Sequence, residues 1–258
     1  MSSSEDLERE NRLLERRLRR LETNVKRAEE FRDSNSTLLS ALLNDLEAEK
    51  ARSQRLLLNV LPQRIVDRLN AGETLIADRH DDAAVLFSDF VGFTGIAATL
   101  PPAELIEELN ALFRAFDAAC EANGVEKIKT VGDAYLAVAG ISGAADGLAG
   151  IADTALAMAA AVAGGTATRA DWRVRIGIHA GPLVAGIVGV TKFAYDVWGD
   201  TVNVASRLET TSEPGRIHVS DIVARRLADR YTLESRGLID LKGKGAMETS
   251  FLVGRRPG

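Results

Sequence analysis

The chain has 258 residues, 46% hydrophobic, 27% charged and only 5% aromatic, with one cysteine and a net charge of −5. That length accommodates one or two domains with a sizeable core, and the hydrophobic share excludes a disordered chain. No apolar run nears the ~20 residues of a membrane span, the charge-dense start excludes a signal peptide, and the lone Cys120 excludes an internal disulfide and fits a reducing, cytoplasmic setting.

Residues 1–55 hold 12 acids and 12 bases, so the whole −5 belongs to the rest of the chain. That acidic balance argues against a nucleic-acid partner, though not against a local phosphate site. The first region has a heptad period. With Asn11 at an a position, the a series continues Leu18, Val25, Arg32, Leu39, Leu46, Ser53 and Val60, and the d series runs Leu7, Leu14, Leu21, Ala28, Asn35, Leu42, Glu49 and Leu56. Eleven of these sixteen positions are apolar, which predicts a long helix in a parallel, two-stranded coiled coil. The polar patch Asp33–Thr37 interrupts the seam, leaving either a weak spot in one helix or a break into two. Pro62 should end the coil near Val60, with a short amphipathic helix over Gln63–Leu69. Residues 1–60 are therefore expected to form a dimerisation helix, 61–80 a coupling segment and 81–258 a separate globular domain.

Beyond the joint, strands and helices alternate. A buried strand over Ala83–Phe87 delivers Asp89 at its end, and Val91–Thr94 turns into a helix start. Pro102–Asn123 has helical spacing, and Cys120 reads as part of its core face. Val125–Val131 and Ala134–Ala139 are predicted as a hairpin around Gly132-Asp133. Asp146–Val162 is an Ala-rich helix stopped by Gly164-Gly165. Arg173–His179 and Leu183–Val188 read as a strand pair around Gly181-Pro182, Thr201–Leu208 as a helix, and Arg216–Val219, Gly237–Leu241 and Ser250–Val253 as late strands. The predicted class is α+β, with helices on one face of a largely antiparallel sheet.

Two acids stand out by position. If the strand ending at Asp89 neighbours the hairpin whose tip is Asp133, both carboxylates meet at one sheet edge, which suits a hard divalent cation. The turn after Asp89 presents backbone N–H groups to phosphate. Either acid alone reads equally well as a cap or a turn former; together they favour a two-metal site acting on a polyphosphate.

The runs Leu86–Thr94, Lys127–Tyr135 and Tyr195–Arg207 resemble the class III nucleotidyl cyclases. Arg175–His179 with Gly181 and Gly186, and Lys242–Gly245, continue the likeness in order, and Asn59–Pro62 resembles the segment that couples regulatory domains to bacterial cyclases. The likeness spans about residues 80–255. It implies a ferredoxin-like βαββαβ catalytic domain that makes a cyclic nucleotide and pyrophosphate from a nucleoside triphosphate, at sites shared by two catalytic domains.

By that resemblance, Asp89 and Asp133 bind two divalent metals, Mg²⁺ or Mn²⁺, and the backbone of Phe90, Val91, Gly92, Phe93 and Thr94 cradles phosphate. Arg175 and Lys242 reach the triphosphate. Asn203 positions the ribose, and Arg207, four residues on along one helix face, stabilises the transferring phosphoryl group. Lys129 and Asp196 occupy the base-reading positions, where guanylyl enzymes typically carry Glu and Cys. Lys only donates and ionised Asp only accepts, so the pair suits adenine and opposes guanine. Lys127 is expected to face the same way as Lys129, and only alignment with the family separates them. One chain holds both half-site sets, which implies a homodimer with two equivalent ATP sites.

His179 reads as a satisfied structural histidine, and Trp172 and Trp198 as packing or dimer residues. Two readings compete with an adenylyl cyclase: a catalytically silent dimer that binds nucleotide and relays a signal through its coil, and a diguanylate cyclase, which the absence of a Gly-Gly-Asp/Glu-Glu-Phe run opposes. A charged coil beginning at Met1 suits the cytosolic part of a membrane-anchored cyclase, with an upstream sensor or membrane domain, as well as a complete soluble enzyme.

Overall fold

The computed structural model of the chain describes residues 3–58, 60–143, 146–164, 171–189 and 193–257. Asn59 of the joint and Gly165 of the helix stop lie outside the described residues, as does the side chain of Leu7 in the heptad. The chain separates into two compact units, residues 1–72 and 73–258.

The first unit holds helices α1 (Ser3–Leu58) and α2 (Gln63–Asn70). α1 runs unbroken through the polar patch. There, Thr37 Oγ1 donates to the Asp33 carbonyl and Ser40 Oγ to the Ser36 carbonyl, each at 2.9 Å, so these hydroxyls are satisfied on the helix itself. The seam residues Leu14, Leu18, Leu21, Leu39, Leu42 and Leu46 are all exposed. α1 stops short of Pro62, whose ring disfavours helical geometry in the residue before it; Pro62 then caps α2 with φ −59°.

The second unit runs β1 (Ala77–Phe90), α3 (Phe93–Thr99), α4 (Pro102–Ala122), β2 (Glu126–Val131), β3 (Ala134–Ala139), α5 (Gly147–Ala163), β4 (Val174–Val188), β5 (Ala194–Trp198), α6 (Asp200–Thr210), β6 (Ile217–Ser220), α7 (Asp221–Leu227), β7 (Tyr231–Leu241) and β8 (Gly245–Arg255). The strands form one sheet in the order β2-β3-β1-β4-β6-β8-β7, with β5 paired to β4 beside that path. Within it, β1–α4–β2–β3–α5–β4 is the ferredoxin-like βαββαβ unit, its strands antiparallel in the order 2-3-1-4. Local chemistry marks the boundaries. Asp146 caps α5 by accepting from the Ala149 N–H, and Gly132, at φ 63°, allows the tight turn between β2 and β3.

The structure differs from the sequence expectation in three places. Gly181-Pro182 does not turn the chain: β4 is one continuous strand paired with β1 along its length. The irregularity lies on β1, whose register shifts between His80 and Ala83, opposite Pro182, so the residue that cannot donate falls at the bulge. β5 and α7 are additional elements. Finally, helices cover both faces. α4, α5 and α7 pack on one face over the main core, which includes Leu86, Phe116, Tyr135, Met158, Ile176 and Ile178, whereas α6 lies on the other, where Val204, Leu208 and Leu241 form a smaller cluster.

Gly177 sets how closely α6 approaches. A Cβ there would stand 2.1 Å from the Glu209 amide nitrogen and 2.4 Å from the Ala205 carbonyl oxygen. Four residues on, a Cβ at Gly181 would meet Thr201 Oγ1 at 2.9 Å, and that hydroxyl donates to the Pro182 carbonyl at 2.6 Å. Because both clashing atoms at Gly177 are backbone, Gly177→Ala is expected to destabilise the unit by about 3 kcal/mol, in the overpacking range. At Gly254, where a Cβ meets nothing within 4 Å, the same change should stay within about 0.5 kcal/mol. Equilibrium urea unfolding of the two variants checks the difference.

Candidate active site

Asp89 and Asp133 converge because β1 and β3 are neighbours. Ser88 pairs with Tyr135, which brings the end of β1 beside the Gly132-Asp133 turn. Burial, then a hydrogen bond with the Asp89 carboxyl and the Asp89 charge, push Asp133 up to about 6, against the pull of its own and the Phe90 backbone N–H groups. A carboxyl that resists ionising beside a second carboxylate is a site a cation would relieve. Among the described residues no group of three or more His, Cys, Asp or Glu makes a self-contained metal cage. A pair of carboxylates still fits Mg²⁺ or Mn²⁺, since Mg²⁺ keeps water and substrate phosphate as its other ligands.

Arg175 stands opposite Asp89 in the β1–β4 register and donates from Nη2 to Asp89 Oδ2 at 3.0 Å. Its Nε lies 3.1 Å from Glu209 Oε1 of α6, but misaligned, so this is a charge contact without a hydrogen bond. Burial raises Glu209 to about 7 although the Arg175 charge pulls it down. The sequence reading missed Glu209. Its signal was spacing: Thr201, Ala205, Leu208 and Glu209 share the buried face of α6, so an acid sat on an apolar stripe.

Beyond Asp89, Val91-Gly92 turns the chain, with Gly92 at φ 72° and no side chain capping α3. Only backbone is on offer from Phe90, whose ring is buried among Phe113, Phe116 and Trp172. Phe93 also packs near Trp172.

Lys129 and Asp196 meet across β2 and β5: Lys129 Nζ donates to Asp196 Oδ2 at 2.5 Å, and Asp196 Oδ1 accepts from the Val197 N–H. Lys127 does not face the same way. The β2–β3 register shifts between Lys127↔Ala137 and Lys129↔Leu136, a bulge at Ile128 that turns the two lysines to opposite faces. Lys127 Nζ instead donates to both carboxylate oxygens of Asp117 on α4, at 2.7 and 3.0 Å.

Asn203 is exposed on α6, and Arg207 is half-buried one turn on. Arg207 reaches the β7–β8 turn, where a Cβ on Gly243 would lie 3.3 Å from Arg207 Nη1. Lys242 is exposed in that turn, and Lys244 pairs with Asp200 at the start of α6. Among the described residues no hydrogen bond or ion pair joins the Lys129–Asp196 pair to the Asp89–Asp133 pair. His179 Nδ1 lies 2.7 Å from Ser220 Oγ, and burial lowers its pKa. Trp172 is core, donating from Nε1 to the buried Glu108 at 2.6 Å, whereas Trp198 is partly exposed. Burial drives the Cys120 thiol up to about 11, which leaves no thiolate.

Residues 75–254 match the family model of the adenylate and guanylate cyclase catalytic domain. An adenylate cyclase of Mycobacterium tuberculosis is 46% identical over 214 residues, covering 82% of this chain and 48% of the relative. Retinal guanylyl cyclase 2 of Bos taurus is 38% identical over 247 residues, covering 92% of this chain and 22% of the relative. The chain thus spans about half the length of the first and about a fifth of the second. Among solved structures, the guanylate cyclase domain of RhGC from Catenaria anguillulae in complex with GTP superposes with a TM-score of 0.67 at 34% identity, over 69% of this chain and all of that domain.

Glu209 supplies a pH test. Its carboxyl binds a proton more tightly folded than unfolded, so it favours the folded state at low pH. That contribution is lost as pH rises from its ordinary 4.5 towards about 7. Relative to Glu209→Gln, the wild-type unfolding free energy should fall by up to about 3 kcal/mol across that window. Chemical denaturation at a series of pH values would show it, and a difference that stays flat would rule out the buried acid as its source.

Proposed function

Because the chain belongs to the family of adenylate and guanylate cyclase catalytic domains, we propose that it converts ATP to 3′,5′-cyclic AMP and pyrophosphate, at two composite sites of a homodimer. The observation that carries the choice of base is the Lys129–Asp196 pair. Adenine offers an acceptor at N1 and donors on its 6-amino group. Lys129 donates to the first and Asp196 accepts from the second. Guanine presents N1–H and O6, the reverse order, and would leave both side chains mispaired. This matters because relatives of both kinds resemble the chain.

Asp89 and Asp133 are the residues that would hold two divalent cations, which supply charge neutralisation for the triphosphate and acidify the ribose 3′-OH. In the reaction the 3′-oxygen bonds to the α-phosphorus and the α–β phosphoanhydride bond breaks, releasing pyrophosphate. Arg175, held by Asp89 and Glu209, and the backbone from Phe90 to Thr94 bind the phosphates from one protomer. Lys242 binds the terminal phosphates. Asn203 orients the ribose from the partner, and Arg207, whose guanidinium lies beside Gly243, meets the charge on the transferring phosphoryl group. An exposed leucine seam along a helix of 56 residues supports α1 as the parallel coil that holds the pair together. No helix among the described residues is long and apolar enough to cross a membrane. The presence of Asp89, Asp133, Asn203 and Arg207 together favours catalysis over a silent regulatory dimer.

Mixing variants tests the shared site. Asp89→Ala and Asn203→Ala chains should each be nearly inactive with ATP and Mg²⁺ or Mn²⁺. Coexpressed, they should regain about a quarter of wild-type sites, since half the dimers keep one intact site of two. Folded mixed dimers without activity would defeat the shared-site reading. Lys129→Glu combined with Asp196→Cys should shift the kcat/KM ratio away from ATP towards GTP; an unchanged ratio would remove the base assignment.

A further inference from the structure

We propose that Asp117 is a specificity-determining residue: by capturing Lys127 on the face of the sheet covered by α4 and α5, it keeps a second lysine out of the base site. The inference rests on Lys129 and Asp196 being the base readers. Near the Gly132-Asp133 turn, β2 pairs with β3 as Val131↔Ala134, Thr130↔Tyr135 and Lys129↔Leu136. Continuing that register would set Lys127 opposite Val138 and on the same face as Lys129. The bulge prevents this by pairing Lys127 with Ala137. Tyr135 and Ala137 belong to the core beneath α4 and α5, so Lys127 projects to that side, away from Asp196.

β2 is the end strand of the sheet, with β3 as its one ladder neighbour on the sheet path, and Lys127, Lys129, Thr130 and Val131 are exposed. Buried side chains therefore do little to fix its register. The anchor is polar. Asp117 accepts from Lys127 Nζ through both oxygens and, at Oδ1, from the Tyr135 hydroxyl at 2.6 Å. Tyr135 is fully buried, and Lys127 Nζ also stands 5.0 Å from the centroid of its ring. One carboxylate thus ties α4, β2 and β3 together at the residue before the bulge. Released from it, Lys127 can swing to the face of Lys129, compete for Asp196 and occupy the acceptor that the adenine 6-amino group needs.

The test uses the full chain and the ratio of kcat/KM for ATP to that for GTP. Asp117→Asn should lower this ratio about tenfold, and adding Lys127→Met should restore it to within about threefold of wild type, because the competing cation is gone. A purely structural role for Asp117 would leave the double variant no better than the single one. That result, or an unchanged ratio in Asp117→Asn, overturns the proposal. Asp117→Ala is the second variant should the Asn form not fold. If neither single variant gives a cooperative melt, Asp117 serves the fold first and the proposal fails. Lys129→Ala separates the two ideas. A ratio that falls there but not in Asp117→Asn defeats this inference only, and a ratio unmoved by Lys129→Ala defeats the base-reading assignment and this inference with it.

Discussion

The contact of α6 with β4 at Gly177 is the constraint on which the second face of the sheet depends. Glycine there lets two backbones approach without an intervening side chain. Glu209 is thereby delivered to Arg175, and Arg207 is carried on the same helix to the β7–β8 turn. Arg175 in turn fixes Asp89. A helix lifted by the width of a methyl group would lose its charge contact with the strand and its grip on the turn at once, because both depend on one rigid element.

Electrostatics around that contact are arranged in opposition. Asp133 and Glu209 are both acids whose burial resists ionisation, and Arg175 is the cation placed between Asp89 and Glu209. The acids on either side of it keep the guanidinium oriented while leaving the carboxylate pair short of positive charge. That deficit is what a divalent cation would answer. The resistance to charging lowers folding stability near neutral pH, a cost often met where a site must hold like charges together.

Much of this was legible in the sequence where chemistry is local. The Gly132-Asp133 turn and the Pro62 stop each follow from one residue's backbone preferences, and the runs around Asp89, Lys129 and Asn203 carry the family likeness. What was not legible depends on register. Gly181-Pro182 has the composition of a turn, yet β4 runs through it because the irregularity sits on the neighbouring strand. Lys127 and Lys129 look equivalent by alternation, and only the bulge at Ile128, held by Asp117 some ten residues earlier, separates them. The placement of α6 on the opposite face came from a glycine whose role is visible only once the helix lies against it.

The unbroken α1 has a consequence beyond geometry. Its leucines stay exposed on a single chain, and an apolar seam of that length finds cover only through association, which makes it subject to mass action. If a second copy supplies the cover and the sites are shared as proposed, the fraction of chains with complete sites rises with protein concentration. Output per molecule would then increase with abundance, so the amount of protein present would itself act as a control.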